Sequence, residues 1–171
     1  AEAEGNLHRR IHGWYDALIT ENGFAQIKAL EDRFRDIHID AVWSSDLYRT
    51  CTTARAIYVP KGLPLHTDPQ LREINLGDWE DQTWGQVRHF DPAGMAARQH
   101  PGQTVAVFSH GTAIRQFLAN VKGISPEDWH TLSHSENTAV NCLTFDGERF
   151  QVVFDSDASH LPPELATLGK Q

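Results

Sequence analysis

Three side chains in this sequence have the type and setting to act on an anion. The first is His110, in Val105-Ala106-Val107-Phe108-Ser109-His110-Gly111. Four apolar residues read as a buried strand, and an apolar pattern of helical spacing follows the His-Gly pair. His110 therefore sits where a strand ends and a helix begins, and there the free N–H groups and the helix dipole favour negative charge. In open α/β sheets, ligands bind in such crevices. The second is Arg49, carried by Ser44-Ser45-Asp46-Leu47-Tyr48-Arg49 after a short strand. A guanidinium at the start of a helix can fork two phosphate oxygens. A single such Arg is more often solvated, but two strand-to-helix junctions, each with a phosphate-suited side chain, favour chemistry on a phosphate ester. The third is Glu73, in Leu71-Arg72-Glu73-Ile74. A carboxyl among apolar neighbours can deliver a proton to a leaving oxygen; the plainer reading is an ion pair with a nearby arginine.

The elements that must position these groups are legible in outline. Thr20 caps a helix whose apolar face is Phe24, Ile27, Leu30 and Phe34. Asp40 to Trp43 forms a strand. Ser44-Ser45-Asp46 offers a cap for a helix to about Val59, which Pro60 and Gly62 then break. Leu71 to Ile74 is extended, Gly77 to Thr83 a polar loop, and Trp84 to Phe90 helical. A helix ends at His100, the strand Thr104 to Phe108 follows, and the next helix buries Ile114, Phe117, Leu118 and Val121. Ala139 to Phe145 and Phe150 to Phe154 make a hairpin around Asp146-Gly147. Strands alternating with helices imply an α/β sandwich.

Bulk properties narrow the partners. The 171 residues suffice for one domain. The net charge of -8 argues against a nucleic-acid surface, and no apolar run reaches the length of a membrane span. Cys51 and Cys142 have neither metal nor redox spacing, which fits a cytoplasmic chain. The other histidines are scattered and give no metal site. Oligomeric state has no readable signature.

Taken together, the motifs resemble the histidine phosphatase superfamily, in its phosphoglycerate mutase-like branch 1. They are Asn6, His12-Gly13-Trp14-Tyr15-Asp16, Ser44-Ser45-Asp46-Leu47-Tyr48-Arg49-Thr50, Leu71-Arg72-Glu73-Ile74, Ser109-His110-Gly111, Asn137-Thr138-Ala139-Val140 and Asp157-Ala158-Ser159-His160-Leu161. The resemblance implies a single three-layer α/β/α sandwich with a mostly parallel central sheet. It implies a hydrolase for small phosphomonoesters that works through a phosphohistidine, without cofactor or metal. In that reading Arg49 and His110 hold the phosphoryl oxygens, and Asn6 adds a polar contact. Gly111 opens the helix whose N–H groups face the phosphate. Glu73 protonates the leaving alcohol and then helps activate water, while His12 and Gly13 line the pocket mouth.

The sequence departs from the family pattern in two places. The family's first strand ends in an Arg-His-Gly or similar triplet whose His is the nucleophile. Counting back from Asn6, that Arg and His fall before Ala1. A second interruption lies near Asp91-Pro92-Ala93-Gly94, where the family has a further helical stretch. The expectation is that the full polypeptide contains residues this sequence lacks. The run Ile74-Asn75-Leu76-Gly77-Asp78-Trp79-Glu80 resembles phosphatases more than the mutases, which carry an Arg-His-Tyr-Gly run there. The alternatives are a phosphoglycerate mutase, a phosphate-ester-binding module without a nucleophile, and a flavodoxin-like domain in which Arg49, Glu73 and His110 lie far apart.

Overall fold

The computed structural model describes residues 1–7, 13–14, 16–73, 92–125 and 127–168. The expected loop from Gly77 to Thr83, the expected helix from Trp84 to Phe90, and His12 and Tyr15 lie outside the described residues. In chain order the described elements are helix α1 (Glu4–Leu7), α2 (Glu21–Phe34), strand β1 (Ala41–Ser44), α3 (Tyr48–Lys61), β2 (Leu65–Thr67), α4 (Pro92–Gln99), β3 (Val105–Phe108), α5 (Gly111–Val121), β4 (Val140–Phe145) and β5 (Phe150–Asp157). Strands β2, β1 and β3 form a parallel sheet in that order, with Val42 opposite Leu65 on one side and Ala106 on the other. Strands β4 and β5 form a separate antiparallel pair.

Alternation along β1 divides the two faces of the sheet. Val42, fully buried, packs with Leu30, Ile39, Ala54 and Ile57 from the α2–α3 side. Burying side chains of this size contributes roughly 1.5–3 kcal/mol each. Trp43 points the other way, stacks on His66 at 4.9 Å, and donates its indole N–H to His100 Nε2 at the end of α4. Helices thus flank a parallel sheet, as the alternation of elements requires.

Local chemistry explains where the elements begin and end. The Thr20 hydroxyl accepts the Gly23 N–H at 3.0 Å, the expected cap of α2. The expected cap of α3 is different. Leu47 stands at the cap position with no side-chain bond, and the free Tyr48 N–H is taken by Asp16 Oδ2 at 2.9 Å. Asp46 is drawn away into an ion pair with Arg72. Helix α3 also runs through Pro60 to Lys61. A proline in the last turn forfeits a single hydrogen bond, and the helix ends at Gly62, whose φ of 64° suits a left-handed cap. Leu71 closes a 3-10 turn capped by Asp68, and the extended backbone begins at Arg72.

The burial expected for α5 is only partly met. Leu118 and Ala119 are buried, whereas Ile114, Phe117 and Val121 are half-buried. Ile114 and Phe117 line a cavity that, among the described residues, is bounded by β3, α5 and β4. The hairpin leans on α5 through Phe117 and Phe150, whose rings meet edge to face at 5.2 Å. Asp146 Oδ1 holds its tip by accepting the N–H groups of Glu148 and Arg149.

Candidate active site

Strands β1 and β3 are neighbours, so their carboxyl ends deliver both junctions to one place. The Ser45 N–H donates to Phe108 O at 3.0 Å, which ties the first junction to the end of β3. Arg49, in the first turn of α3, and His110, the cap residue of α5, are each 6% exposed. Arg49 Nη2 lies 3.1 Å from His110 Nδ1 and donates to Gly13 O at 2.7 Å. Burial pushes the Arg49 pKa down, against the nearby charges of Asp16 and Glu73. The other imidazole nitrogen, His110 Nε2, is 2.9 Å from Ser45 Oγ.

Glu73 reaches the same spot from the third direction. Its carboxylate accepts the N–H groups of Thr112 at 3.3 Å and Ala113 at 3.2 Å, so it sits on the N-terminus of α5. The apolar surroundings expected for this carboxyl are therefore replaced by backbone donors. Its segment is pinned by Ser109 Oγ, which donates to Leu71 O at 2.7 Å. Trp14 donates its indole N–H to Glu73 O at 2.8 Å, and the Arg72 guanidinium lies 4.7 Å from the centre of the Trp14 ring. Arg72 in turn grips Asp46, and this hydrogen bond holds the Asp46 carboxyl below its ordinary pKa of 3.8.

Of the residues singled out by sequence, Arg49, Glu73 and His110 come together, and Gly13 joins them through its carbonyl. The arrangement in which those three lie far apart is thereby excluded. Asn6 and Gly111 line the same cavity. Asn6 Oδ1 accepts the Ala3 N–H at 3.0 Å, and a side chain added at Gly111 would meet open space. His12 lies outside the described residues. Among the described residues no cluster of His, Cys, Asp and Glu has the arrangement of a metal site.

The profile of the histidine phosphatase superfamily, branch 1, matches residues 1–98 and 93–157. The chain belongs to that superfamily.

Histidine phosphatase relatives agree in both sequence and shape. A probable phosphoglycerate mutase, GpmB, from Yersinia pestis is 43% identical over 77 residues, 45% of this chain. The aligned stretch spans 36% of that relative's length. The structure of Bacillus stearothermophilus YhfR superposes with a TM-score of 0.81 at 26% identity, covering 94% of this chain and 95% of that one. The phosphoserine phosphatase of Entamoeba histolytica, solved with 3-phosphoglyceric acid, gives a TM-score of 0.75 at 22% identity over 94% of this chain and 95% of its own. The alpha-ribazole phosphatase of Shigella flexneri gives 0.75 at 19% identity over 91% and 92%. The last two likenesses speak to the fold.

Two residues to which sequence reasoning assigned no part in the site also help to build it. Asp16 caps α3 from 32 positions upstream, and Ser45 contacts His110 across 65 positions. Both lie inside stretches that carried the family resemblance, but neither type announces a long-range partner. The junctions bring a guanidinium and an imidazole to one cavity, and there the first N–H groups of α5, at Thr112 and Ala113, are taken by the Glu73 carboxylate, although the family resemblance implies that they face the phosphate.

Proposed function

We propose that this chain hydrolyses a small phosphomonoester through a phosphohistidine intermediate. The observation that carries the reading is the meeting of Arg49 and His110 at 3.1 Å, with Glu73 seated at the start of α5 beside them. In the first step a nucleophilic histidine nitrogen bonds to phosphorus while the ester P–O bond breaks, and Glu73 protonates the leaving oxygen. Arg49 and His110 hold the phosphoryl oxygens, where fixed donors lower the barrier as charge develops. In the second step water attacks phosphorus, Glu73 takes its proton, and the P–N bond breaks to release phosphate. Asn6, Gly13 and Gly111 shape the oxygen-binding end and mouth of the pocket, and the family resemblance alone adds His12. No step is assigned to a metal or cofactor.

We place the enzyme in the cytoplasm, on the spacing of Cys51 and Cys142. Among the described residues no helix is long and apolar enough to cross a membrane.

Release of phosphate from p-nitrophenyl phosphate by the intact polypeptide, with acid-labile phosphate on the protein, supports hydrolysis. A mutase is the second reading, favoured by the match to the Yersinia mutase. Interconversion of phosphoglycerates without phosphate release would establish it instead. An intact polypeptide that binds phosphate esters but never carries acid-labile phosphate would be a binding module.

A further inference from the structure

Gly13 and Trp14, neighbours in sequence, touch both halves of the site. The Gly13 carbonyl accepts an N–H of Arg49 at 2.7 Å, and Trp14 donates its indole N–H to Glu73 O at 2.8 Å. Trp14 is 48% exposed, so filling the core does not account for a ring of this size here. Its orientation is set by Arg72, whose guanidinium lies 4.7 Å from the ring centre. Arg72 is itself fixed, because its Nε donates to Asp46 Oδ1 at 2.6 Å and its Nη2 to Asp46 Oδ2. Asp46 belongs to the junction after β1, and Leu71, two residues before Glu73, is tied to the junction after β3 by Ser109. An indole has one N–H to donate, and here it goes to the backbone of the residue that carries the carboxylate.

We propose that Trp14 is a positioning residue for Glu73: its indole N–H holds the Glu73 backbone at a set distance from Arg49, through Gly13, so that the carboxyl meets the leaving oxygen while Arg49 holds the phosphoryl group. The inference rests on the reading of Glu73 as the proton donor. The Glu73 carboxylate accepts the Thr112 and Ala113 N–H groups at 3.3 and 3.2 Å, the long end of the hydrogen-bond range, so where it stands depends on where its backbone is held. A displacement of about 1 Å in such a group can cost on the order of a hundredfold in rate. The displacement matters most when the leaving oxygen is basic. An alkoxide needs its proton as the P–O bond breaks, whereas p-nitrophenolate leaves without one. The contact made by Trp14 therefore shows itself in the dependence of rate on leaving group.

The test uses the intact polypeptide with two replacements of Trp14. One is Trp14→Phe; the other is the benzothiophene analogue of tryptophan, which keeps the ring beside Arg72 and puts sulfur where the N–H was. For each, kcat/KM for an alkyl phosphate is expected to fall about tenfold, and that for p-nitrophenyl phosphate about twofold. Combined with Glu73→Gln, neither replacement should slow alkyl phosphate hydrolysis further, because the proton whose delivery it disturbs is already gone. A second readout needs no turnover. In ¹H–¹⁵N spectra the Thr112 and Ala113 amides, which bond the carboxylate, should move in the benzothiophene variant toward their positions in Glu73→Ala. Equal losses on the two esters, or Thr112 and Ala113 signals that stay in place, would overturn the proposal. A greater loss on p-nitrophenyl phosphate would also overturn it, by making Trp14 a platform for the aromatic leaving group. If Trp14→Phe does not fold, the benzothiophene variant decides by the same criteria. If the amides move as expected and wild type releases phosphate from neither ester, the hydrolase reading fails and the positioning role stands.

Discussion

At the scale of single residues, the site depends on a guanidinium that serves two masters. Arg49 reaches Gly13 O and His110 Nδ1 with the same Nη2, a geometry that an ammonium on a flexible stem does not reproduce. Arg49→Lys is therefore expected to lower kcat/KM for phosphate esters by about 10²–10³-fold, the loss typical of one oxyanion donor, with an unchanged circular dichroism spectrum. Glu73→Gln tests the proton-transfer role separately. It should lower kcat by about 10²–10⁴-fold for an alkyl phosphate, whose leaving group needs a proton, and much less for p-nitrophenyl phosphate. Equal losses on both substrates would remove Glu73 from that step. Arg49, Glu73 and His110 were legible because their types and junction settings carry chemical meaning. Asp16 and Ser45 were not, because a short polar residue reveals its role only when a remote backbone group arrives beside it.

At the scale of elements, α2 shows how a helix can be limited by a neighbour. Gly23 lies in its first turn, and a Cβ there would stand 2.2 Å from Glu2 O and 2.8 Å from Ile19 Cγ2. Gly23→Ala should thus cost about 1–3 kcal/mol by overpacking, against the usual gain in helix propensity, and urea denaturation measures it. The other end of α2 is tied to β5. Arg33 bonds Asp157 Oδ2 at 2.5 Å and lies 3.2 Å from His160 Nδ1. Burial and the Arg33 charge hold the His160 pKa below 6.5, so the unfolded chain binds its proton more readily. Stability is therefore lost as pH falls below 6.5. The Arg33 bond holds the Asp157 carboxyl below 3.8, so that pair stabilises above 3.8 and fades as pH drops further. His160→Gln should flatten the first decline in melting temperature and leave the second, as thermal melts across pH would show. The cap at Thr20 and the stop at Gly62 follow from local rules and could be read directly. The cap of α3 could not, since Asp16 displaces the nearer candidates.

At the scale of the whole molecule, the parallel sheet and its flanking helices were legible from the alternation of strand and helix signals. The buried polar tie that joins the two ends of the described chain was not. Gln26, fully buried, accepts the Glu2 N–H at 2.7 Å and donates to Leu165 O at 2.8 Å and Thr167 Oγ1 at 3.1 Å. A glutamine on an amphipathic helix looks like a surface residue until segments more than a hundred positions away close over it. The half-buried face of α5 departs from expectation because Ile114 and Phe117 line the cavity beside β3 and β4. The order β2-β1-β3 has a kinetic corollary. Arg49 and His110 are 61 positions apart, and only the pairing of β1 with β3 brings their junctions side by side. Closing so long a loop comes late and slowly in folding, so a refolding chain should regain helical signal well before it regains affinity for phosphate. Binding is thus a clock for the arrival of β3, and no partly folded form should hold the anion.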